Sequence, residues 1–329
     1  MRKRPDCIPE FHSILGSYIY KFVQEKHAHG YRYQNEIKIL RRLDQAIKGA
    51  NLSKPCLPQS FVKDWTKRQL HQAPRTHRAR VTVVQQLARF LLRQGIKAFV
   101  PDQHLSPIAR NEFSPYIFTR EQIRDILAAA DHLPPHSRGP YRQLIMPELF
   151  RILYGCGLRL NEVLSLTVAN VDLNQGVLII RQGKFRKDRL VPMASDLTAR
   201  LHQYHKTMGE RPPEFPFLPV RENEPYASGA IYCIFRRLLF ICGIPHGGRT
   251  HGPRVHDLRS TFAVHRLTQW YQEGVDLNTK LPILSTYMGH QSIFGTQRYL
   301  RLTIDLFADL TERMEDAYGN VIPREEDES

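Results

Sequence analysis

About a third of the way along the chain, the stretch FVPDQHLSPIARNEFSPYIF (residues 99–118) carries three prolines and no sustained hydrophobic period, between segments patterned as helices. Proline lacks the amide donor a helix needs and pushes its predecessor out of the helical region, so one bundle cannot run through such a stretch. The sequence therefore divides into a helical domain over 1–108, a linker over 109–118, a second domain over 119–303, and a final helix with an acidic tail over 304–329. A length of 329 residues agrees with two domains of ~100–200 residues each.

The front domain reads as four helices. Phe11, Ile14, Leu15, Tyr18 and Phe22 recur at three- and four-residue steps, with Gly30 as a stop. Helices are predicted next over about Tyr31–Ile47, Ser60–Leu70 and Thr76–Arg93, the last with Val81, Val84, Leu87, Ala88 and Leu91 inward. Its other face carries Arg75, Arg78, Arg80, Arg89 and Arg93. That face is either solvated or in contact with phosphate, and the pattern leaves both open.

After the linker, Thr119 followed by Gln122 reads as a capping box that starts a new helix. Helices follow at about Arg142–Gly155 and from Asn161. The period then changes: GVLIIRQ and RLVPM flank GKFRKD, which predicts two strands joined by a basic turn. Helical patterning returns at Asp196–Met208, Ala230–Cys242, Val255–Tyr271, Leu281–Met288, Ile293–Leu300 and Ile304–Tyr318. The expected fold is mainly α with a small β-sheet.

Charge narrows the function. The net charge is +15, distributed as +13 over residues 1–105, +9 over 106–304 and −7 over 305–329. Such an excess points to a polyanion, either nucleic acid or an anionic membrane surface. No apolar run approaches the ~18–20 residues of a membrane span, and no helix pairs a Lys/Arg face with a large apolar one. A membrane role is therefore not expected. Five scattered cysteines without C-x-x-C spacing, behind an N-terminus with no secretory pattern, read as reduced thiols of a cytoplasmic protein. His246, His251 and His256 sit at five-residue steps around a Gly/Pro-rich turn, which does not suit a metal site, and no metal or cofactor is expected. GCGLRL at 155–160 lacks the third glycine of a dinucleotide fingerprint and follows a helix; phosphate-loop and nucleophile-elbow motifs are missing from the sequence.

What remains is a basic constellation: Arg159 in GLRLNEVLSL, Lys184 in GKFRKDRLVP, His256 and Arg259 in HDLRSTFA, His290 in MGHQS and Tyr299 in TQRY. These stretches, in this order, resemble the tyrosine recombinases of the phage-integrase family. The resemblance spans about residues 155–300, and the basic front matches that family's helical DNA-clamping (core-binding) module. It implies a mixed α/β catalytic domain that breaks and rejoins DNA without metal or nucleotide. Arg159, Arg259 and His290 would hold the scissile phosphate, and His256 would act as general base or phosphate ligand. Lys184, favoured over Lys187, would protonate the leaving 5′-oxygen, and Tyr299 would form a 3′-phosphotyrosyl link. Guanidinium suits the first task because it stays charged and presents a planar fork to phosphate.

Glu162 reads as a buttress for Arg159 or for the helix N-terminus rather than a catalytic acid, Asp257 serves the first turn of its helix, and Tyr287 precedes His290 whereas the resemblance places the nucleophile after it. Arg186 and Arg189 read as phosphate contacts or solvated charges, and His265 as a core or surface residue. The interval from Arg259 to His290 is 31 residues, longer than in many members, with WYQEGVDLNTKLP as an expected surface insertion. The implied partners are double-stranded DNA, three further protomers in a tetrameric synapse, and accessory recombination proteins. The helix after the nucleophile is expected to dock into a neighbouring subunit. Two alternatives stay open at this level. A type IB-like topoisomerase would relax supercoils as a monomer, and a catalytically weak accessory protein would bind DNA without linking to it.

Overall fold

The structure, a computed structural model, describes residues 8–70, 72–102, 114–137, 139–181, 188–248 and 252–302. The chain divides into two compact units, Met1–Phe113 and Ser114–Ser329.

The first unit holds helices α1 (Gly16–Ala28), α2 (Gln34–Gly49), α3 (Gln59–Thr66) and α4 (Pro74–Arg93). Their apolar faces close on one core that includes Leu15, Ile19, Phe22, Leu40, Leu43, Val84, Leu87 and Leu91. Helix α1 begins later than the periodicity predicts. The residues before it are held instead by Asp44 of α2, whose carboxylate accepts from the amides of His12 (2.8 Å) and Ser13 (3.0 Å). The arginines of α4 do not act alike. Arg80 donates to the carbonyls of Trp65 and of Lys67 (2.8 Å) and lies 4.8 Å over the Trp65 ring, so it staples α4 to α3. Arg93 pairs with Glu25 at 2.7 Å. Arg75 and Arg89 stay exposed and Arg78 half-buried.

The second unit is mostly helical around small sheets. It begins inside the expected linker: Phe118 is fully buried and its amide donates to Thr261 Oγ1 at 3.1 Å. Helix α5 (Arg120–Asp131) opens on the expected capping box, with Thr119 Oγ1 accepting from the Gln122 amide at 3.1 Å. Helix α6 (Arg142–Gly155) buries residues all round, including Ile145, Met146, Leu149, Phe150 and Leu153, as a central helix must. Helix α7 (Leu160–Leu164) follows.

Strands β1 (Val171–Asp172), β2 (Val177–Ile180) and β3 (Arg189–Pro192) form an antiparallel sheet in that order. Leu178 pairs with Val191 and Ile180 with Arg189. Leu178 and Ile180 are buried while Val177 and Ile179 are half-exposed, the alternation of a sheet with one covered face. The turn between β2 and β3, with Lys184, lies outside the described residues. Strand β1, and the hairpin β4 (Pro219–Arg221) and β5 (Glu224–Pro225), were not expected. Strands of two or three residues are too short to display a period.

Helices α8 (Ser195–Met208), α9 (Ser228–Ile241), α10 (Asp257–Gln272), α11 (Leu277–Met288) and α12 (Phe294–Gln297) complete the unit, followed by a 3₁₀ turn at Leu300–Leu302. The stretch WYQEGVDLNTKLP, expected as a surface insertion, is mostly exposed or half-buried and forms the end of α10, a turn and the start of α11. Helix α10 runs to Gln272, the chain reverses at Gly274 (φ +71°), and Asp276 Oδ1 caps α11 by accepting from the Asn278 amide at 2.9 Å. The helix expected over Ile304–Tyr318 lies outside the described residues.

Candidate active site

Three segments distant in sequence meet at the site: the turn before α7, the start of α10, and the turn after α11. The first depends on Gly157. Its φ is +57°, and a Cβ there would stand 2.3 Å from Phe262 Cδ1, so only glycine lets this turn lie against α10. Its carbonyl accepts from Arg259 Nη1 at 2.6 Å. Gly289, at φ +68°, closes α11 in the left-handed conformation, and its open side is filled by the Arg189 guanidinium.

Arg159 and Arg259 are braced against the same turn. Arg259 Nη2 donates to the Met288 carbonyl (2.7 Å), and Arg159 Nη2 to the Gly289 carbonyl (3.1 Å). Arg159 Nη1 also pairs with Glu162 Oε1 at 2.8 Å, while the Arg159 amide donates to Glu162 Oε2 at 3.0 Å. Arg259 is 2% exposed. Burial first, and then the neighbouring charge of Arg159, bring its pKa down to about 10, so it stays cationic at neutral pH. Of five N–H groups on each guanidinium, these contacts leave some uncommitted on both.

Glu162 holds the two sides together. Arg189, from β3, donates to both its oxygens (3.1 and 2.9 Å) and through Nε to the Tyr287 carbonyl (2.9 Å). Burial would raise the Glu162 pKa. The hydrogen bonds and charges of Arg189 and Arg159 outweigh it and bring the value down to about 2. The expected buttress is therefore present, and Arg189 is a half-buried strut paired with Glu162 rather than a freely solvated charge.

His290 Nε2 lies 3.0 Å from Arg259 Nη2, and its Nδ1 lies 2.7 Å from Thr296 Oγ1. Burial, then Arg259, Arg159, Arg298 and Arg189, lower its pKa to about 3. In this contact it accepts from Arg259, since a guanidinium has no acceptor to offer. His256, just before α10, is exposed to solvent. Crowding by the surrounding protein, then the charges of Arg259, Arg159, Arg254 and Arg298, lower its pKa to about 4. Both imidazoles are thus neutral near pH 7, and a neutral imidazole can accept a proton.

Tyr299 is fully buried, packed with Phe262, Leu267, Leu284 and Met288. Its ring lies 6.1 Å from that of His290, and Arg298 Nη2 donates to its hydroxyl at 3.3 Å. Tyr287 is tied elsewhere: its hydroxyl donates to the Pro192 carbonyl (2.9 Å) and its ring stacks 5.8 Å from Phe262. His265 Nδ1 lies 2.9 Å from the Tyr154 hydroxyl, away from the cluster, and Asp257 accepts from the Arg254 amide at 2.9 Å. The structure thus brings together five of the six expected residues; Lys184 lies outside the described ones. It adds Thr296 and Arg298, which the motif TQRY contained but did not single out, and Arg189. No group of three or more His, Cys, Asp or Glu side chains able to hold a metal occurs among the described residues.

Two braced guanidiniums, two neutral imidazoles and a tyrosine form a cluster suited to a phosphodiester. Residues 117–304 match the phage integrase family. The chain is 33% identical over 266 residues to y4rB of Sinorhizobium fredii, a candidate integrase/recombinase by its name, across 79% of this chain and 85% of that protein. It is 28% identical over 229 residues to the tyrosine recombinase XerA of Thermococcus kodakarensis, across 68% and 70% of the two. In fold it is similar to a lambda integrase dimer bound to a core site, with a TM-score of 0.61 at 14% identity over 86% of this chain and 94% of that one. The chain belongs to the phage integrase family and is a tyrosine-type site-specific recombinase.

Proposed function

We propose that Tyr299 attacks a scissile DNA phosphate held between Arg159 and Arg259, forming a 3′-phosphotyrosyl link and releasing a 5′-hydroxyl. Attack of a 5′-hydroxyl from another strand reverses the step and joins the exchanged ends. The ester bond is conserved in the link, so rejoining needs no external energy source. The observation that carries this reading is the shared bracing of Arg159 and Arg259 on the carbonyls of Gly289 and Met288, next to His290 and Tyr299. Preorganised cations of this kind stabilise charge on the non-bridging oxygens as it develops, without reorganisation during the reaction.

His256, neutral but near solvent, takes the role of base toward the tyrosine hydroxyl or of phosphate ligand. Lys184, on the turn between β2 and β3, gives its proton to the leaving 5′-oxygen. The buried state of Tyr299 is a resting one, since the hydroxyl has to reach the phosphate before it can attack. Arg75, Arg78 and Arg89 of α4 supply sequence-independent phosphate contacts. Two duplexes present four strands to be cut, and each protomer offers one nucleophile, so the working assembly is four copies around two DNA segments. The reaction is the integration, excision or transposition of a mobile element, or the resolution of DNA multimers, inside the cytoplasm, with accessory proteins setting direction.

The test uses a randomised pool of nicked duplexes, in which cleavage next to the nick loses the short 5′-hydroxyl fragment. A denaturant-resistant protein–DNA adduct is expected with the wild type and not with Tyr299→Phe. Tight binding without any adduct would support the accessory reading instead, and relaxation of supercoiled plasmid by monomers would support a topoisomerase.

A further inference from the structure

Thr296 occupies a position that no catalytic role yet explains. It is fully buried in α12, and it is polar. Its hydroxyl oxygen lies 2.7 Å from His290 Nδ1, and its backbone carbonyl accepts from the Tyr299 amide at 2.9 Å. One residue therefore touches both the histidine and the segment that carries the nucleophile.

The chemistry of the neighbours determines the direction of the side-chain bond. Arginine has no acceptor, so in the 3.0 Å contact between Arg259 Nη2 and His290 Nε2 the arginine donates. Nε2 must then carry a lone pair, and in a neutral ring the proton sits on Nδ1. That proton needs an acceptor, and the Thr296 hydroxyl is at the right distance. Gly295 lets the helix approach this closely: a Cβ there would meet the His290 ring at 3.3 Å.

We propose that Thr296 is a positioning residue that locks His290 with Nδ1–H turned inward and Nε2 turned toward Arg259 and the scissile phosphate, while its carbonyl ties the placement of Tyr299 to the same short helix. This rests on the site reading given above. When a phosphate enters, Nε2 takes up a proton from solvent and becomes a donor to a phosphate oxygen, while Nδ1–H keeps its partner. Without the hydroxyl the ring can turn over or exchange tautomers, and the phosphate loses that donor. When the segment carrying Tyr299 moves, α12 moves with it, so ring and nucleophile are adjusted together.

Thr296→Val keeps the shape and removes the hydroxyl; Thr296→Ser keeps the hydroxyl. On the randomised pool of nicked duplexes, Thr296→Val is expected to slow adduct formation on the order of 10–100-fold, the usual cost of removing a partner that orients a functional histidine, with DNA affinity unchanged. Thr296→Ser restores most of the rate. In ¹⁵N-labelled DNA-free wild-type protein, the His290 ring nitrogens are expected to report the Nδ1–H tautomer. That measurement decides the matter even where the valine variant does not fold. An Nε2–H tautomer in the wild type, or a folded Thr296→Val protein that forms adduct at the wild-type rate, would overturn the proposal. Tyr299→Phe runs alongside: adduct from that variant would overturn the site reading itself, whereas its absence together with a fully active Thr296→Val would sink this inference alone.

Discussion

At the scale of single residues, the site is an exercise in holding like charges close together. Arg159, Arg189 and Arg259 converge, and Glu162 is the acid that accepts from two of them. Glu162→Gln leaves its partners charged and incompletely paired, and breaking such a buried pair costs about 3 kcal/mol. Urea denaturation of the variant should show that loss, with little change in the dependence of stability on denaturant.

The imidazoles give a second test. His290 and His256 have folded pKa values of about 3 and about 4, below the ~6.5 of an unfolded histidine. As pH falls below that value the unfolded chain takes up protons first, so stability declines from about pH 6.5 and continues to decline down to the folded values. Glu162, whose folded pKa is about 2, adds to the loss at lower pH in the same direction. Melting temperatures across this range should fall in the wild type and fall less steeply in His290→Gln.

The residue identities were legible because the motifs occur in order. Their partnerships were not. Arg159 meets the Gly289 carbonyl across 130 positions, and Arg189 meets Glu162 across 27, separations that no local pattern reports. In sequence alone Arg189 is indistinguishable from a surface or phosphate-contacting charge. Neither Thr296 nor Arg298 is distinctive by residue type alone.

At the scale of elements, hydrophobic period carried most of the reading. The predicted inward face of α4, from Val81 to Leu91, is buried throughout. Long amphipathic helices repeat their signal several times; β1, β4 and β5 do not repeat it once. The connection between α10 and α11 turns on Gly274 and Asp276, ordinary turn and cap residues. The turns that place the site are the most sensitive elements. Gly157→Ala combines a positive φ with a Cβ only 2.3 Å from Phe262, and a loss of about 2–3 kcal/mol is expected. Thermal unfolding should register it as a clear drop in melting temperature, accompanied by loss of adduct formation because Arg259 loses its carbonyl partner in place.

At the scale of the whole molecule, the charge separates into tasks. The +13 over residues 1–105 is much larger than a solubility argument requires, and α4 divides its arginines between structure and surface. Replacing the exposed Arg75 and Arg89 together by Ala should lower the slope of log affinity against log salt by about two, since each released phosphate contact contributes about 0.9. Arg80→Ala should instead lower the stability of the first unit, because it loses two carbonyl contacts and the Trp65 ring. No helix among the described residues is long and apolar enough to cross a membrane.

The proposed reaction joins Tyr299 covalently to DNA. The most direct measurement is to form the adduct on nicked duplexes, digest protein and DNA, and locate the nucleotide-bearing peptide by mass spectrometry. A phosphotyrosyl link within TQRYLR, on Tyr299, is expected. A link on Tyr287, or on any other residue, would contradict that reaction.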